Sequence, residues 1–164
     1  MFLDAFINFH KNMGVAAIEL MEVNMVTYTE FQLIVETKRS HLSNVELLGY
    51  LDDARYCWYE YCIAIGVEAL VVHISTDFKK EVFNQEKMII RTWIDRVGNT
   101  SFVLQQKVVG DHNEHIASSQ VVLATVNKET RMKTTVPQEV RDLLMQEGTL
   151  DFKRLDKHSS YSTF

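Results

Sequence analysis

The chain has 164 residues, enough for one domain with a sizeable core. Its formal net charge of −5, with no dense Lys/Arg run, argues against a nucleic-acid partner, whose phosphates need a positive footprint. No apolar run reaches the ~18 residues of a membrane span, and Cys57 and Cys62 form neither a CxxC pair nor a zinc half-site, so they predict small buried thiols in a reducing cytoplasm.

In chain order, Phe2, Phe6, Phe9 and Met13 stand at helical spacing and predict a short amphipathic helix ending near Gly14. The order of charges there is not that of a secretion signal. The following GVAAIELMEVNM suits helix or strand, and residues 1–26 read as an N-terminal extension. From Thr27 the pattern alternates. TYTEFQLIVET puts Phe31, Leu33 and Val35 on one face of a strand. A polar turn, KRSHLSN, leads into VELLGYLDDARYCWYEYCIAIG, whose inner stripe is Leu47, Leu51, Ala54, Trp58, Tyr61/Cys62 and Ile65. Ser43 or Asn44 suits its N-cap and Gly66 its stop.

Strands follow: ALVVHISTDFKKEV, KMIIRTWIDRV, SFVLQQKVV and EHIASSQVVLATV, the last three joined by hairpin turns at Gly98-Asn99 and Gly110-Asp111. Pro137 opens a closing helix, with Glu139 in its first turn and Gly148 past its end. Residues 27–148 form one domain, and 149–164 a polar, loose tail. The class is α+β. A helix apolar on all sides must be buried. An antiparallel sheet of about five strands wrapped round it would bury it on most sides. The His41–Asn44 turn would then lie where the helix enters the wrap, and buried polar groups there need partners.

These residues resemble a known family. Ser40-His41-Leu42-Ser43-Asn44, then Tyr50, then Asp52-Asp53-Ala54-Arg55, is similar to the Gly-His-Val-Asn-Asn … Glu-x-Ala-Arg signature of 4-hydroxybenzoyl-CoA thioesterase-like enzymes. VNKETRMKTTVPQEVRDLL resembles that family's closing strand, basic turn and short helix. The resemblance implies a hotdog fold: a curved antiparallel sheet of five or six strands round one central helix. It also implies hydrolysis of an acyl-CoA or acyl-carrier-protein thioester without a cofactor, in a homodimer or homotetramer.

Thioester hydrolysis needs a carboxylate to activate water and donors for the oxyanion, which a helix N-terminus supplies. His41 and Asn44 stand at that terminus; each is equally at home as a plain turn or cap residue. Aligned without gaps, the family's aspartate falls on Thr37, whose hydroxyl cannot replace a carboxylate. Glu36 beside it and Asp52 in the helix are the candidate bases. The plain alternatives are a strand-end charge for Glu36 and an i,i+3 ion pair with Arg55 for Asp52. Loss of the aspartate favours a second reading, a hotdog protein that binds acyl-CoA without cleaving it. Lys79, Lys80, Arg91, Arg96, Arg131 and Lys133 could meet CoA phosphates, though solvated strand charges are the plain reading. Tyr50, Trp58 and Tyr61 could line an acyl pocket or simply pack the core. His112 and His115 lack a third ligand, so no metal is expected.

Overall fold

The computed structural model describes residues 27–152, so the helix expected over residues 2–13 lies outside the described residues. Strand β1 (Thr27–Ile34) is followed by helix α1 (Asn44–Ala64) and then by strands β2 (Glu68–Phe78), β3 (Lys87–Val97), β4 (Ser101–Gly110) and β5 (His115–Val126). A short helix α2 (Gln138–Asp142), one 3-10 turn and a two-residue strand β6 (Gly148–Thr149) close the chain. The sheet order is β2-β5-β4-β3-β1-β6. The five main strands pair antiparallel and α1 lies across their inner face, as in the hotdog arrangement that the resemblance implied.

Strand β1 stops earlier than its alternation suggested. Val35 and Thr37 leave the ladder to bond with the segment before β3: Val35 N–H to Glu86 O at 2.8 Å and Thr37 N–H to Asn84 Oδ1 at 2.9 Å. Strand β2 likewise ends at Phe78, because Lys79 and Lys80 turn their N–H groups onto Ile116 O. Helix α1 begins at Ser43, which is its N-cap. Ser43 Oγ accepts from Glu46 N–H, and Glu46 Oε2 accepts from Ser43 N–H at 2.8 Å, a complete capping box. Its stop is Gly66, at φ +97°, a conformation costly for residues with a Cβ.

Two apolar clusters hold α1 to the sheet. Leu47, Leu51 and Ala54 pack with Met88, Ile90 and Val108, while Trp58 and Cys62 pack with Ile94, Leu104 and Leu123. A polar row separates them. Thr29, Thr92, Gln106, Ser119 and Thr76 stand opposite one another across β1, β3, β4, β5 and β2. Arg55 of α1 lies on this row. Its Nη1 donates to Gln106 Oε1 at 2.6 Å, and Gln106 Nε2 donates to Leu51 O at 2.9 Å and Thr92 Oγ1 at 3.1 Å. Trp58 Nε1 donates to Thr29 Oγ1 at 2.9 Å and Ser119 Oγ shares a hydrogen bond with Thr76. A one-residue slip of any strand would point its member of this row away from the helix, so the row fixes register.

The sheet covers most of the central helix, as expected, and leaves one flank open: Val45, Tyr56 and Ile63 on its outer flank are exposed, and so are Val71, Ile74 and Phe78 on the inner face of β2. Among the described residues β2 is an edge strand of the sheet and leaves that flank uncovered. The segment after Gly148 is not loose at its start. β6 runs parallel to β1, and Phe152 stacks on Tyr61 (centroids 4.6 Å) and meets Trp58 edge-on (4.9 Å). The sheet is therefore mixed, with one parallel edge pair.

Candidate functional site

The start of α1 leaves two backbone donors over. The first turn of any helix has N–H groups without intrahelical partners. Here Ser43 N–H goes to Glu46, Glu46 N–H to Ser43 Oγ, and Leu47 N–H to Ser43 O. Among the described residues, Asn44 and Val45 N–H have no acceptor in the chain. They carry the positive end of the helix dipole, the usual environment for an oxyanion.

A cavity flanks this terminus on each side. The first, of about 260 Å³, lies between α1 and the end of β2 and is lined by His41, Asn44, Phe78, Lys79, Lys80 and Glu81 among others. The second, of about 410 Å³, lies on the β1 side and is lined by Glu36, Thr37, Lys38, Arg39, Glu46 and Asn84. The residues singled out in the sequence are thus divided. His41, Asn44, Lys79 and Lys80 share the first cavity, Glu36 and Thr37 the second.

Each remaining residue has a definite place. Thr37 Oγ1 donates to Glu46 Oε1 at 3.0 Å, so its hydroxyl is tied to a carboxylate. Hydrogen bonds from the Ser43 backbone N–H, then from the Ser43 side chain, hold the Glu46 carboxyl below its usual range. Tyr50 donates to Glu36 O at 3.4 Å, bracing the turn. Asp52 Oδ1 accepts from Arg55 Nη2 at 2.9 Å and from Tyr59 OH at 3.1 Å, the ion pair that the spacing suggested. Burial raises the Tyr59 phenol. Trp58 is core, about 20 Å along the helix from Asn44 by helical rise. Arg96 lies near the far end of β3 and binds Asp95, while Arg91 binds Glu30 at 3.0 Å and Arg131 binds Glu68. Lys80 pairs with Glu114 at 3.2 Å, and Lys79 Nζ is 3.9 Å from Asp77. Among the described residues no group of three or more His, Cys, Asp or Glu could hold a metal ion, and no helix is long and apolar enough to cross a membrane.

Sequence reasoning missed two groups. Glu46 carried a signal, since Ser-x-x-Glu before an apolar run is a capping box. Glu81 carried none, because it reaches His41 only through the fold.

The family model of the thioesterase-like superfamily matches residues 39–144, most of the described chain. The chain belongs to this superfamily. No curated protein matches it by sequence. Among solved structures, this thioesterase-like chain is similar to the probable thioesterase YbaW from Escherichia coli, with TM-score 0.62 and 17% identity over 73% of this chain and 98% of that one. It is also similar to a hypothetical protein from Staphylococcus aureus solved in complex with CoA, with TM-score 0.65 and 10% identity over 77% and 90%. A third is a 1,4-dihydroxy-2-naphthoyl-CoA thioesterase from Synechocystis, with TM-score 0.62 and 14% identity over 73% and 96%. At these identities the likeness is one of fold, the hotdog.

Proposed function

We propose that the chain hydrolyses an acyl-CoA or acyl-carrier-protein thioester to free acid and thiol. The observation that carries this reading is the pair of unpartnered N–H groups, Asn44 and Val45, beside a cleft lined by His41, Asn44, Lys79 and Lys80. A thioester carbonyl seated against those N–H groups gains hydrogen bonds as it becomes a tetrahedral oxyanion, which lowers the barrier to attack by water. Asn44 and His41 add side-chain donors, and Lys79 and Lys80 offer charge to CoA phosphates. Glu36 and Asp52 remain candidate bases; the first lies on the β1-side cavity and the second is held by Arg55 and Tyr59.

The uncovered apolar strip suits a second copy. Val71, Ile74 and Phe78 of β2 and Val45, Tyr56 and Ile63 of α1 are exposed, and an unpaired apolar edge strand is a liability unless another strand covers it. A homodimer joined along β2 would bury this strip beside the cleft, and a homotetramer would be a pair of such dimers. The two free thiols suit a reducing compartment such as the cytoplasm.

One observation favours a second reading, binding without hydrolysis: Thr37 stands where the family's aspartate falls, and its hydroxyl is engaged by Glu46. A panel of acyl-CoAs with a chromogenic thiol reagent separates the two. Steady thiol release with at least one acyl group is expected. Saturable binding with no release for any acyl group would replace hydrolysis with the binding role.

A further inference from the structure

We infer that Glu81, on the segment between β2 and β3, is the carboxylate that activates water. This rests on the hydrolase reading above and names the catalytic group within it. Of the residues that line the cleft with Asn44 and His41, Glu81 is the only carboxylate.

The backbone explains how Glu81 comes to face His41. Leu42 N–H donates to Val82 O at 2.8 Å, clamping the turn before α1 to the segment after β2. Leu42 and Val82 are both buried in the core. Their preceding neighbours, His41 and Glu81, are therefore turned outwards together into the cleft. His41 Nδ1 stands 4.0 Å from Glu81 Oε1. That is too long for a direct hydrogen bond; Nδ1 also meets the Ser40 hydroxyl at 3.2 Å, and a water held by Glu81 would take that hydroxyl's place on Nδ1.

The other nearby carboxylates are engaged or elsewhere. Glu46 uses one oxygen for Ser43 N–H and the other for Thr37. Asp52 is bound by Arg55 and Tyr59. Glu36 faces the other cavity. Glu81 has a side chain 68% exposed and no partner besides His41 among the described residues.

The step balances with water alone. The water oxygen forms a bond to the thioester carbon as Glu81 takes its proton, with His41 holding the water in line. The carbonyl electrons move to oxygen, which Asn44 and Val45 N–H receive. The tetrahedral species collapses, the carbon–sulfur bond breaks, and the proton on Glu81 passes to the leaving thiolate.

The test uses the full chain and the acyl-CoA that it cleaves fastest. Glu81→Gln keeps shape and removes basicity, so kcat should fall at least ~100-fold, the scale of general-base catalysis, with KM little changed. Glu81→Asp should recover part of kcat. Circular dichroism and Tm should match the wild type, because the side chain is exposed. A wild-type kcat in Glu81→Gln, or loss confined to Glu36→Gln or Asp52→Asn, would overturn the assignment while leaving hydrolysis standing. A wild-type chain that cleaves neither acyl-CoA nor acyl-carrier-protein thioesters would remove the hydrolase reading, and the assignment with it.

Discussion

The polar row beneath α1 makes a quantitative prediction about coupling. Gln106 is 1% exposed and Arg55 2% exposed, and the two share a 2.6 Å bond. Gln106→Leu keeps roughly the volume but leaves the Arg55 guanidinium without its innermost acceptor. Stranding one buried charged donor, with Thr92 Oγ1 losing its donor as well, should cost about 3 kcal/mol. Arg55→Met removes the charge itself. Asp52, whose side chain is 62% exposed, returns to water, and the orphan left is Gln106 Oε1, costing about 2 kcal/mol. The double variant leaves neither orphan, so it should lose about 2 kcal/mol where simple addition gives about 5. Urea unfolding followed by circular dichroism, at one fixed protein concentration, measures all four corners of the cycle. A double variant whose loss equals the sum of the singles would refute the view that this row is one interdependent network.

Other consequences follow from the same structure. The Glu46 carboxyl is held below its usual 4.5 chiefly by the Ser43 backbone N–H and then by the Ser43 side chain. A lowered carboxyl stabilises the fold above its unfolded value and loses that contribution as pH falls through its folded value. The stability gap between wild type and Glu46→Gln should thus be constant near neutrality and close below about pH 4.5; an unchanged gap at pH 3 would contradict the capping role. Ser43→Ala should cost about 1 kcal/mol by urea unfolding, as loss of an N-cap does. Ile74→Lys on the exposed face of β2 should reduce the mass by light scattering from an even multiple of 19.0 kDa to one chain, and thiol release should fall with it. Burial pushes the Cys62 thiol up to about 12, so a thiol reagent should label it only after unfolding. Fast labelling of the native chain would contradict that burial.

Much of the fold was legible in the sequence because each main element obeys its own period. Phe31, Leu33 and Val35 alternate, and Leu47, Leu51, Ala54, Trp58 and Cys62 recur at helical spacing, as a sheet packed on one helix requires. What stayed hidden depends on contacts distant in sequence. Thr149 becomes a strand only because β1 offers it an edge, and Phe152 packs only because Tyr61 and Trp58 wait there. An apolar helix side reads the same whether a sheet or a second chain covers it, so the exposure of Val45, Tyr56 and Ile63, outside the inner stripe, is visible only in the fold. In the site, His41 and Asn44 were visible as a polar turn before a helix. Their separation from Glu36 and Thr37 was not, because it depends on which side of α1 each chain segment passes.

The central claim is that a thioester carbonyl binds the free N–H groups at the start of α1. The most direct test is amide NMR of the labelled chain titrated with an uncleavable acyl-CoA analogue that keeps the carbonyl and replaces sulfur with methylene. The Asn44 and Val45 amides should move furthest downfield and saturate with the ligand. Saturable shifts elsewhere, with these two amides unmoved, would contradict it.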